Sequence, residues 1–467
     1  MELKKALRLP LRSSGQALRL GSAETLRLAF VGAGGKTTAM FHLARELDEP
    51  VIIAATTHLA VEQVQLADQH FILQKIKDTN HLDDIALSGV ILLTGPIEGN
   101  RTTGLSEEIM AWLDQFCGYH SLPMLIEADG SRQLPFKAPA SHEPPIPEFV
   151  NTVVVVAGLS GLGKPINADW VHRPEHFAKI SEVDLGEKIT PDVLARVLMH
   201  PEGGLKNIPP KARRIALLNQ ADSPEMQATA QSIAKIITSE FQSVIVSAFN
   251  VQALGLSKDE GFGRPNANIF AVYESIAGIV LAGGSAVRYG EPKQLLPWKG
   301  KPLVWHVAKK ALTAGLSPVV VVGGAYTSQL GDALEDLSVE IIHNPDWTEG
   351  QSTSVKVGLG AVQTQVGGAI FLLADQPQVP ETLIHSLVEA HTQGLFPIVA
   401  PLVQGQRANP VLFDRTTFPD FQNLTGDAGA RKLFSMYPVK WVPWHDDLPI
   451  LDVDTPEDYQ KLLNLLK

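Results

Sequence analysis

A glycine-rich bend followed by basic residues stands in the run IVLAGGSAVRYGEPK, directly after an apolar stretch. Gly283, Gly284 and Ser285 keep bulky side chains away from the bend, so successive backbone N–H groups can form a concave site for an anion. Arg288 and Lys293 follow at short spacing, and a guanidinium fork and an ammonium both suit a triphosphate. The pattern predicts a nucleotide-phosphate site, although a plain strand-turn-helix connection explains the bend alone equally well.

Two aspartates follow apolar runs elsewhere in the same half of the chain. Asp375 comes after FLLA, and Asp454 lies in LDVDTPED. Carboxylates at strand ends can share Mg²⁺, which takes one or two protein carboxylates together with phosphate oxygens. We therefore predict a magnesium site between Asp375 and Asp454. The alternative is that Asp454 only favours a helix that begins at Pro456, with Thr455 as its N-cap.

A second glycine-rich loop, GAGGKTT, follows the apolar run LRLAFV near the start of the chain. A strand, a glycine loop and a helix that opens at Lys36 form an arrangement that cradles phosphates. Gly32 and Gly35 belong to a G-x-x-G-K-T-T spacing, because Phe30 stands where the longer P-loop motif needs its first glycine. We predict that Lys36 reaches the outer phosphates of ATP or GTP and that the Thr37 hydroxyl contacts Mg²⁺.

More polar residues end later apolar runs of this half. Glu127 and Asp129, two apart in LIEADGS, share one strand face and are candidates to face the phosphates, with a solvated strand end as the alternative. Asn219 and Asp222, in ALLNQAD, stand where P-loop GTPases read guanine, although Gln220 interrupts that pattern. An aspartate before a helix is also a common cap.

Isolated histidines and the single cysteine favour structural roles. His58, His142 and His172 lie beside acids or threonines, which would allow a metal or phosphate role, but a lone histidine is more often a surface or core residue. Cys117 lies in the helical pattern AWLDQFCG, where a free cysteine behaves as a small hydrophobe.

The elements that position these residues alternate along the chain. Short β-branched runs, each followed by a turn and a helical pattern, indicate parallel sheets covered by helices. We predict an α/β fold with two doubly wound, mostly parallel-sheet domains. The first is a P-loop-like nucleotide-binding domain over 1–256, the second a Rossmann-like domain over 276–467, and a linker rich in Gly, Asn, Pro and charge covers 257–275.

Composition excludes several classes of protein. The 467 residues are 45% hydrophobic and 19% charged, as in an ordinary globular chain. The net charge of −11 argues against binding nucleic acid or an anionic membrane. A single cysteine excludes an intrachain disulfide and zinc sites of several thiolates. With no secretory signal and no run of about 18 apolar residues, we expect a cytoplasmic protein.

Six separated segments of 276–467 resemble, in order, the molybdenum cofactor cytidylyltransferases, relatives of the molybdopterin guanylyltransferases. They are LAGGSAVRYGEPKQLLPWKGKPL, QSTSVKVGL, LLADQP, RANPVLF, LTGDAGAR and DVDTPED. Enzymes of that family join CMP from CTP to the terminal phosphate of molybdopterin and release pyrophosphate. No protein nucleophile is needed, because the catalyst positions two anions and neutralises their charge.

The resemblance implies a role for each matching residue. The nucleotide loop would consist of Gly283, Gly284, Ser285 and Arg288, Lys293 would meet the phosphates, and Asp375 and Asp454 would hold Mg²⁺. Arg288, Lys293, Asp375 and Asp454 are thus the candidate catalytic residues. The candidates near the pterin are Gln351, Ser352, Ser354, Asn409, Pro410, Gly426 and Asp427.

The base of the nucleotide is a separate question. LAGG at 281–284 is closer to the guanylyl branch, and Tyr289 stands where the cytidylyl branch often has methionine. In contrast, KQLLPWKGKPL, QSTSVKVGL and NPVLF are closer to the cytidylyl branch. We expect CTP, with GTP as the alternative. A sugar-nucleotide pyrophosphorylase would share the LAGG loop and use a sugar 1-phosphate.

Residues 26–250 look like an accessory family proposed to serve selenium-dependent molybdenum hydroxylases. The segments that carry this resemblance are GAGGKTT, ATTH, EADGSRQLPFKAPASHEPPIP, VVVVAGLSGLGKPI and VHRPE. It implies an apo molybdenum hydroxylase as partner. A rival hypothesis is a cofactor-delivery factor, in which the first domain hydrolyses or senses ATP or GTP and the whole chain carries cofactor to the hydroxylase.

Overall fold

The computed structural model divides the chain into two compact units, Met1–Tyr273 and Glu274–Lys467, called here the N-terminal and C-terminal units. It describes residues 1–9, 25–82, 85–249, 268–284, 292–362 and 366–464. Within these ranges, no helix is both long and apolar enough to cross a membrane.

The N-terminal unit alternates strands and helices. Its strands are β1 (Arg27–Gly32), β2 (Val51–Ala55), β3 (Gln69–Ile72), β4 (Val90–Thr94), β5 (Ile97–Glu98), β6 (Arg101–Thr102), β7 (Met124–Glu127), β8 (Phe136–Lys137), β9 (Thr152–Gly158), β10 (Val171–His172), β11 (Arg213–Asn219), β12 (Ser243–Ala248) and β13 (Asn268–Tyr273). Its helices are α1 (Leu3–Ala6), α2 (Lys36–Glu46), α3 (Val61–Val64), α4 (Glu107–Tyr119), α5 (Pro174–Ser181), α6 (Pro191–Met199) and α7 (Pro224–Ile237).

Nine of these strands form one sheet in the order β13-β12-β11-β9-β1-β7-β2-β4-β3. Every pairing is parallel except that of β12 with β13. Strand β1 is central, and the chain builds outward from it in both directions. Ligands of open α/β sheets bind beyond the carboxyl ends of the strands at such a switch point. The glycine loop after β1 lies at this point.

The central strands of this sheet are buried on both faces. All residues of β2, β4, β7 and β9 are buried, as expected for parallel strands covered by helices. The prediction of a linker over 257–275, which is based on composition, is wrong for residues 268–273, because these residues form strand β13. The apolar run IFAVY within NIFAVY adds to the sheet edge as an antiparallel strand.

The C-terminal unit has a second set of alternating elements. Its strands are β14 (Ile276–Ala282), β15 (Pro297–Trp298), β16 (Lys301–Pro302), β17 (Val319–Gly323), β18 (Glu340–His343), β19 (Gly368–Leu373), β20 (Ile398–Val403), β21 (Gln406–Arg407), β22 (Val411–Asp414) and β23 (Val439–Trp444). Its helices are α8 (Leu303–Thr313), α9 (Thr327–Ala333), α10 (Gln351–Val362), α11 (Glu381–Gly394), α12 (Phe418–Phe421) and α13 (Pro456–Asn464).

The large sheet of this unit is mixed. Strands β18, β17, β14 and β19 are parallel neighbours, β22 and β20 continue the sheet in antiparallel pairings, and β23 lies parallel to β20. Along β14, Val280 packs into one apolar cluster and Ile279 into another, so apolar layers cover both faces of the sheet. The predicted α/β class, with two mostly parallel sheets, is therefore confirmed.

Candidate active sites

A cleft of about 420 Å³ lies at the carboxyl ends of β14 and β19 in the C-terminal unit. Parallel neighbouring strands bring their ends to the same edge, which is why the bend after β14 and the aspartate after β19 meet there. The predicted site residues that line the cleft are Gly283, Gly284, Lys293, Gln351, Ser354, Asp375 and Asp427.

Lys293 joins the two predicted metal aspartates. Its Nζ lies 3.1 Å from Asp375 Oδ2 and 2.8 Å from Asp454 Oδ1. Asp454 stands just before α13, but the side chain that caps this helix is the Thr455 hydroxyl, which accepts from the Asp458 N–H. The carboxylate of Asp454 thus contacts Lys293, which also contacts Asp375.

The pKa values at this site reflect the charges that converge there. Desolvation alone would lower the pKa of Lys293, but hydrogen bonds and charge attraction from Asp454 and Asp375 outweigh it and raise that pKa. A third carboxylate, Asp452, stands nearby. Partial withdrawal from solvent, and then the negative charge of Asp375, raise the pKa of Asp452.

The two aspartates form a suitable donor set for a divalent cation. Both carboxylates approach a single cationic atom, Lys293 Nζ. Two oxygen donors beside the cleft match Mg²⁺, which completes its shell with waters and phosphate oxygens. Mg²⁺ bound between Asp375 and Asp454 would take the place of the ammonium group, which would then be free to contact a phosphate.

Two buried glutamines after β19 hold the segment that carries Asp454. The Gln378 amide donates to the carbonyls of Leu448 and Leu451, at 3.1 and 2.6 Å, and Gln376 donates to the Asp452 carboxylate. These side chains are 5% and 3% exposed. Sequence reasoning missed both glutamines and Asp452. The D-x-D spacing of Asp452 and Asp454, which mirrors that of Glu127 and Asp129, was the available signal.

The start of α10 forms another wall of the cleft. The Gln351 N–H donates to Asp427 Oδ1 at 3.3 Å, and a Cβ on Gly350 would lie 2.6 Å from the backbone of Gly426. Only glycine at 350 therefore allows the Gly426–Asp427 turn to approach so closely. The Ser354 hydroxyl, which lines the cleft, accepts from the buried Asn344 amide at 2.9 Å.

Two other predicted residues of this unit, Ser352 and Asn409, do not line the cleft. Ser285 and Arg288 fall outside the described residues. Ser352 is 2% exposed and points into the interior, and Asn409, which precedes a cis peptide bond to Pro410, is half-buried. Neither Ser352 nor Asn409 is among the described residues that line the cleft. Their assignment to the pterin therefore stays a prediction.

In the N-terminal unit the glycine loop connects β1 directly to α2. Gly32, Gly34 and Gly35 have φ values of +94°, +85° and +121°, which strongly favour glycine. A Cβ on Gly34 would lie 2.3 Å from the backbone of Gly158, at the end of β9. The loop is therefore packed against the neighbouring strand end, and helix α2 begins at Lys36 as predicted.

Glu127 and Asp129, the candidates to face the phosphates, both contact residues of this loop. The Thr37 hydroxyl donates to Glu127 Oε2 at 2.8 Å, and Lys36 Nζ lies 3.2 Å from Asp129 Oδ1. Burial, the largest influence, raises the pKa of Glu127. A buried carboxylate beside a threonine hydroxyl is a pair of oxygen ligands suited to Mg²⁺. The solvated-strand-end alternative does not describe Glu127 or Asp129, which are 5% and 1% exposed.

Asn219 supports the loop instead of facing solvent. Its amide nitrogen donates to the Gly34 carbonyl at 2.9 Å, and its Oδ1 accepts from the Ser247 hydroxyl and the Phe249 N–H. The residue is 1% exposed. The structure therefore gives Asn219 a positioning role, and Asp222 is exposed.

The lone histidines and the cysteine form no metal cluster. No group of three or more His, Cys, Asp or Glu side chains within the described ranges is arranged to hold a metal ion. His58 contacts the Thr102 carbonyl, His142 is exposed, and burial followed by the charge of Arg173 lowers the pKa of His172 to about 4. Burial raises the pKa of the Cys117 thiol to about 12, as expected for a structural cysteine.

Two family models that match this chain fall on opposite sides of the boundary between the two units. A family model described as YqeC protein matches residues 28–175. A model described as MobA-like NTP transferase domain matches residues 278–442.

Relatives match each half separately. "Uncharacterized protein YqeC" of Escherichia coli (strain K12) is 32% identical over 44% of this chain and 79% of its own length. "Nicotine blue oxidoreductase" of Paenarthrobacter nicotinovorans is 31% identical over 40% of this chain and 96% of its own length. "Molybdenum cofactor cytidylyltransferase" of Escherichia coli (strain K12) is 28% identical over 39% of this chain and 92% of its own length. A "Probable molybdenum cofactor guanylyltransferase" of Bacillus cereus (strain Q1) is 29% identical over 29% of this chain and 66% of its own length. The second half thus resembles proteins named for several reactions.

Proposed function

Because the chain belongs to the YqeC family through its N-terminal half and to the MobA-like NTP transferase family through its C-terminal half, we propose that it is a molybdenum cofactor cytidylyltransferase fused to a nucleotide-binding accessory domain. The observation that carries the transferase proposal is the meeting of Lys293, Asp375 and Asp454 at one edge of the cleft. A single cysteine in the whole chain supports a reducing, cytoplasmic setting.

The reaction needs two anions to be brought together. A terminal phosphate oxygen of molybdopterin attacks the α-phosphorus of CTP, the bond from that phosphorus to the bridging oxygen of the β-phosphate breaks, and pyrophosphate leaves. Lys293 neutralises phosphate charge, the backbone around Gly283 and Gly284 leaves room for the triphosphate, and the cleft positions the acceptor. Asp375 and Asp454 would hold Mg²⁺, which supplies further charge neutralisation when bound.

The test is turnover by the full chain. Purified protein with Mg²⁺, molybdopterin and CTP labelled at the α-phosphate should release pyrophosphate and form a labelled dinucleotide. Asp375→Asn should abolish most of this turnover and keep the fold. Asp336→Asn is a matched control, because Asp336 pairs with Lys301 on the surface of the same unit. Absence of turnover with every nucleoside triphosphate would remove the transferase proposal.

The guanylyltransferase alternative rests on two observations. The LAGG sequence of the loop is closer to that branch, and the identity to a named guanylyltransferase equals that to a named cytidylyltransferase within one per cent. Parallel assays with CTP and GTP decide between the two, because a pocket that hydrogen-bonds one base rejects the other strongly.

For the N-terminal half we propose binding of magnesium and ATP or GTP at the loop from Gly32 to Thr37, in support of a molybdenum hydroxylase partner. The contact of Thr37 with the buried Glu127 supports this proposal. Thermal shift of the full chain with ATP and GTP, compared with Lys36→Ala, tests it. A shift that Lys36→Ala leaves unchanged would contradict nucleotide binding at this loop. The delivery-factor hypothesis predicts that Lys36→Ala blocks hydroxylase activation and leaves pyrophosphate release intact.

A further inference from the structure

A buried carboxylate is surrounded by three donors at the glycine loop of the N-terminal unit. Asp129 accepts from the Gly32 N–H at 3.1 and 3.0 Å through its two oxygens, and it contacts Lys36 Nζ at 3.2 Å. On its other side it contacts Lys137 Nζ at 2.8 Å. The carboxylate and both ammonium groups are nearly fully buried, with side chains 2 to 3% exposed.

Such a set of donors suits a phosphate better than a carboxylate. A backbone N–H from a glycine loop and two ammonium groups are the ligands that phosphate sites use. Lys36 Nζ also donates to the Gly32 carbonyl at 2.7 Å, so the lysine is folded back onto its own loop. The carboxylate of Asp129 therefore occupies an anion site that the loop has built.

Lys137 has other partners besides Asp129. Its Nζ also donates to the Gly130 carbonyl at 2.8 Å and to Glu143 Oε2 at 2.9 Å. Glu143 is in turn held by Arg173, whose two nitrogens contact its two oxygens at 2.8 and 2.9 Å. Desolvation alone would raise the pKa of Glu143, but the hydrogen bonds from Arg173 and Lys137 lower it to about 2. The Glu143 carboxylate therefore stays charged and can hold Lys137. Lys137 would remain at the site if Asp129 moved away.

We infer that Lys137 is a second phosphate-binding lysine, and that the terminal phosphate of a nucleoside triphosphate displaces the Asp129 carboxylate from the site formed by Gly32, Lys36 and Lys137. This inference rests on the proposed binding of a nucleotide to the N-terminal half, and it adds the position of the terminal phosphate. Asp129 is then a competitor that bound nucleotide must displace.

The experiment is calorimetric titration of the full chain with ATP, ADP, GTP and GDP in the presence of Mg²⁺. Binding at the loop is defined as the part of the signal that Lys36→Ala removes, which separates it from any binding in the other unit. Lys137→Gln should weaken triphosphate binding about tenfold or more and change diphosphate binding much less, because only the triphosphate reaches Lys137. Lys179→Gln, on the exposed face of α5, is the control and should bind as wild type.

A second variant tests the displacement and does not depend on the stability of Lys137→Gln. Asp129→Asn keeps the side-chain volume and removes the competing charge, so triphosphate binding should become about tenfold tighter or more. An ion pair with only a structural role would give unchanged or weaker binding.

The two proposals fail in different ways. If wild type shows no signal that Lys36→Ala removes, nucleotide binding at the loop is itself wrong. If that signal is present, but Lys137→Gln binds triphosphate as wild type or Asp129→Asn binds it no more tightly, the place assigned to the terminal phosphate is overturned.

Discussion

Lys293 and Asp454 are 161 residues apart in the chain, yet the Nζ of the lysine lies 2.8 Å from Oδ1 of the aspartate. Asp375 completes the group at 3.1 Å from the same nitrogen. One ammonium group thus contacts two carboxylates at the mouth of the cleft and leaves a net negative charge of one there. Each of the three residues is therefore expected to depend on the others, and this mutual dependence can be measured.

The two aspartates should act as one functional unit. Asp375→Asn and Asp454→Asn should each reduce turnover by about 100-fold or more, since each removes charge from one proposed metal site without changing volume. Because either loss already disables the site, the double variant should be only slightly slower than the single variants. Pyrophosphate release by the three variants measures this. Fully multiplicative losses would show that the aspartates act independently.

Lys293 should compete with Mg²⁺ for the same oxygens. Lys293→Met removes the ammonium group, so the Mg²⁺ concentration for half-maximal activity should fall by about tenfold, while kcat falls because a phosphate partner is lost. Magnesium titrations of the turnover of wild type and Lys293→Met test this. Lys309→Met, on helix α8, is the control and should retain the wild-type magnesium requirement. A higher requirement in Lys293→Met would contradict competition.

Gln378 should position Asp454 without touching substrate. Gln378→Leu removes two part-buried hydrogen bonds to the 448–451 segment and leaves the Leu448 and Leu451 carbonyls without this donor, which should cost about 1–3 kcal/mol of stability. Because the segment that carries Asp454 is then less firmly held, kcat should fall, whereas KM should change by a smaller factor. Urea unfolding and steady-state kinetics measure the two effects. Gln393→Leu, on exposed α11 surface, should change neither, and a normal kcat in Gln378→Leu would contradict the positioning role.

The residues at the carboxyl ends of the strands could be predicted to lie together. The β-branched runs mark the strands, and neighbouring parallel strands end at the same edge of a sheet. That reasoning placed Asp375 next to the bend at Gly283 and placed Glu127 next to the glycine loop. Local spacing also predicted the start of α2 at Lys36. Such features depend on only a few neighbouring residues, which is why single-sequence reasoning found them.

Contacts made by irregular segments were not predictable in this way. Lys137, in the short strand β8, contacts Asp129 in the irregular segment that follows β7, and Gln378 reaches the 448–451 segment across 70 or more residues. Asn219 stands at a strand end, as predicted, but its partner is the Gly34 carbonyl, which only the packing of the loop brings near. The missing information in each case is the path of a loop in space.

Gly34 should be essential to the shape of the nucleotide loop. Gly34→Ala would place a Cβ 2.3 Å from the backbone of Gly158, so the loop must move and nucleotide binding in the N-terminal unit should be lost. Gly99→Ala is a matched control, because Gly99 also has a positive φ, of +64°, but a Cβ there meets nothing within 4 Å. The control should bind nucleotide normally and lose only about 1–2 kcal/mol of stability to backbone strain. Thermal shift with ATP and GTP distinguishes the two, and equal binding in both variants would contradict the packing argument.

His42 should make the N-terminal unit sensitive to acid. Its ring is 0% exposed, packs 5.0 Å from the Phe249 ring, and has no hydrogen-bond partner for either nitrogen among the described residues. Burial lowers the pKa of His42 to about 4, from 6.5. Between these values the unfolded chain binds a proton that the folded unit does not, so up to about 3 kcal/mol of stability should be lost as the pH falls from about 6.5 to about 4.

His42→Phe should remove that part of the acid sensitivity, because phenylalanine keeps the ring contact and cannot bind a proton. Urea unfolding at pH 7.5 and pH 4.5 measures the effect, with labelling of Cys117 by an acid-tolerant disulfide reagent as readout. Cys117 is the single cysteine of the chain and is fully buried in the N-terminal unit, so its labelling reports the unfolding of that unit. His142→Gln is the control, because His142 is exposed. It should leave the difference in the free energy of unfolding between pH 7.5 and pH 4.5 unchanged. If His42→Phe loses as much stability on acidification as wild type, the proton uptake belongs to another group.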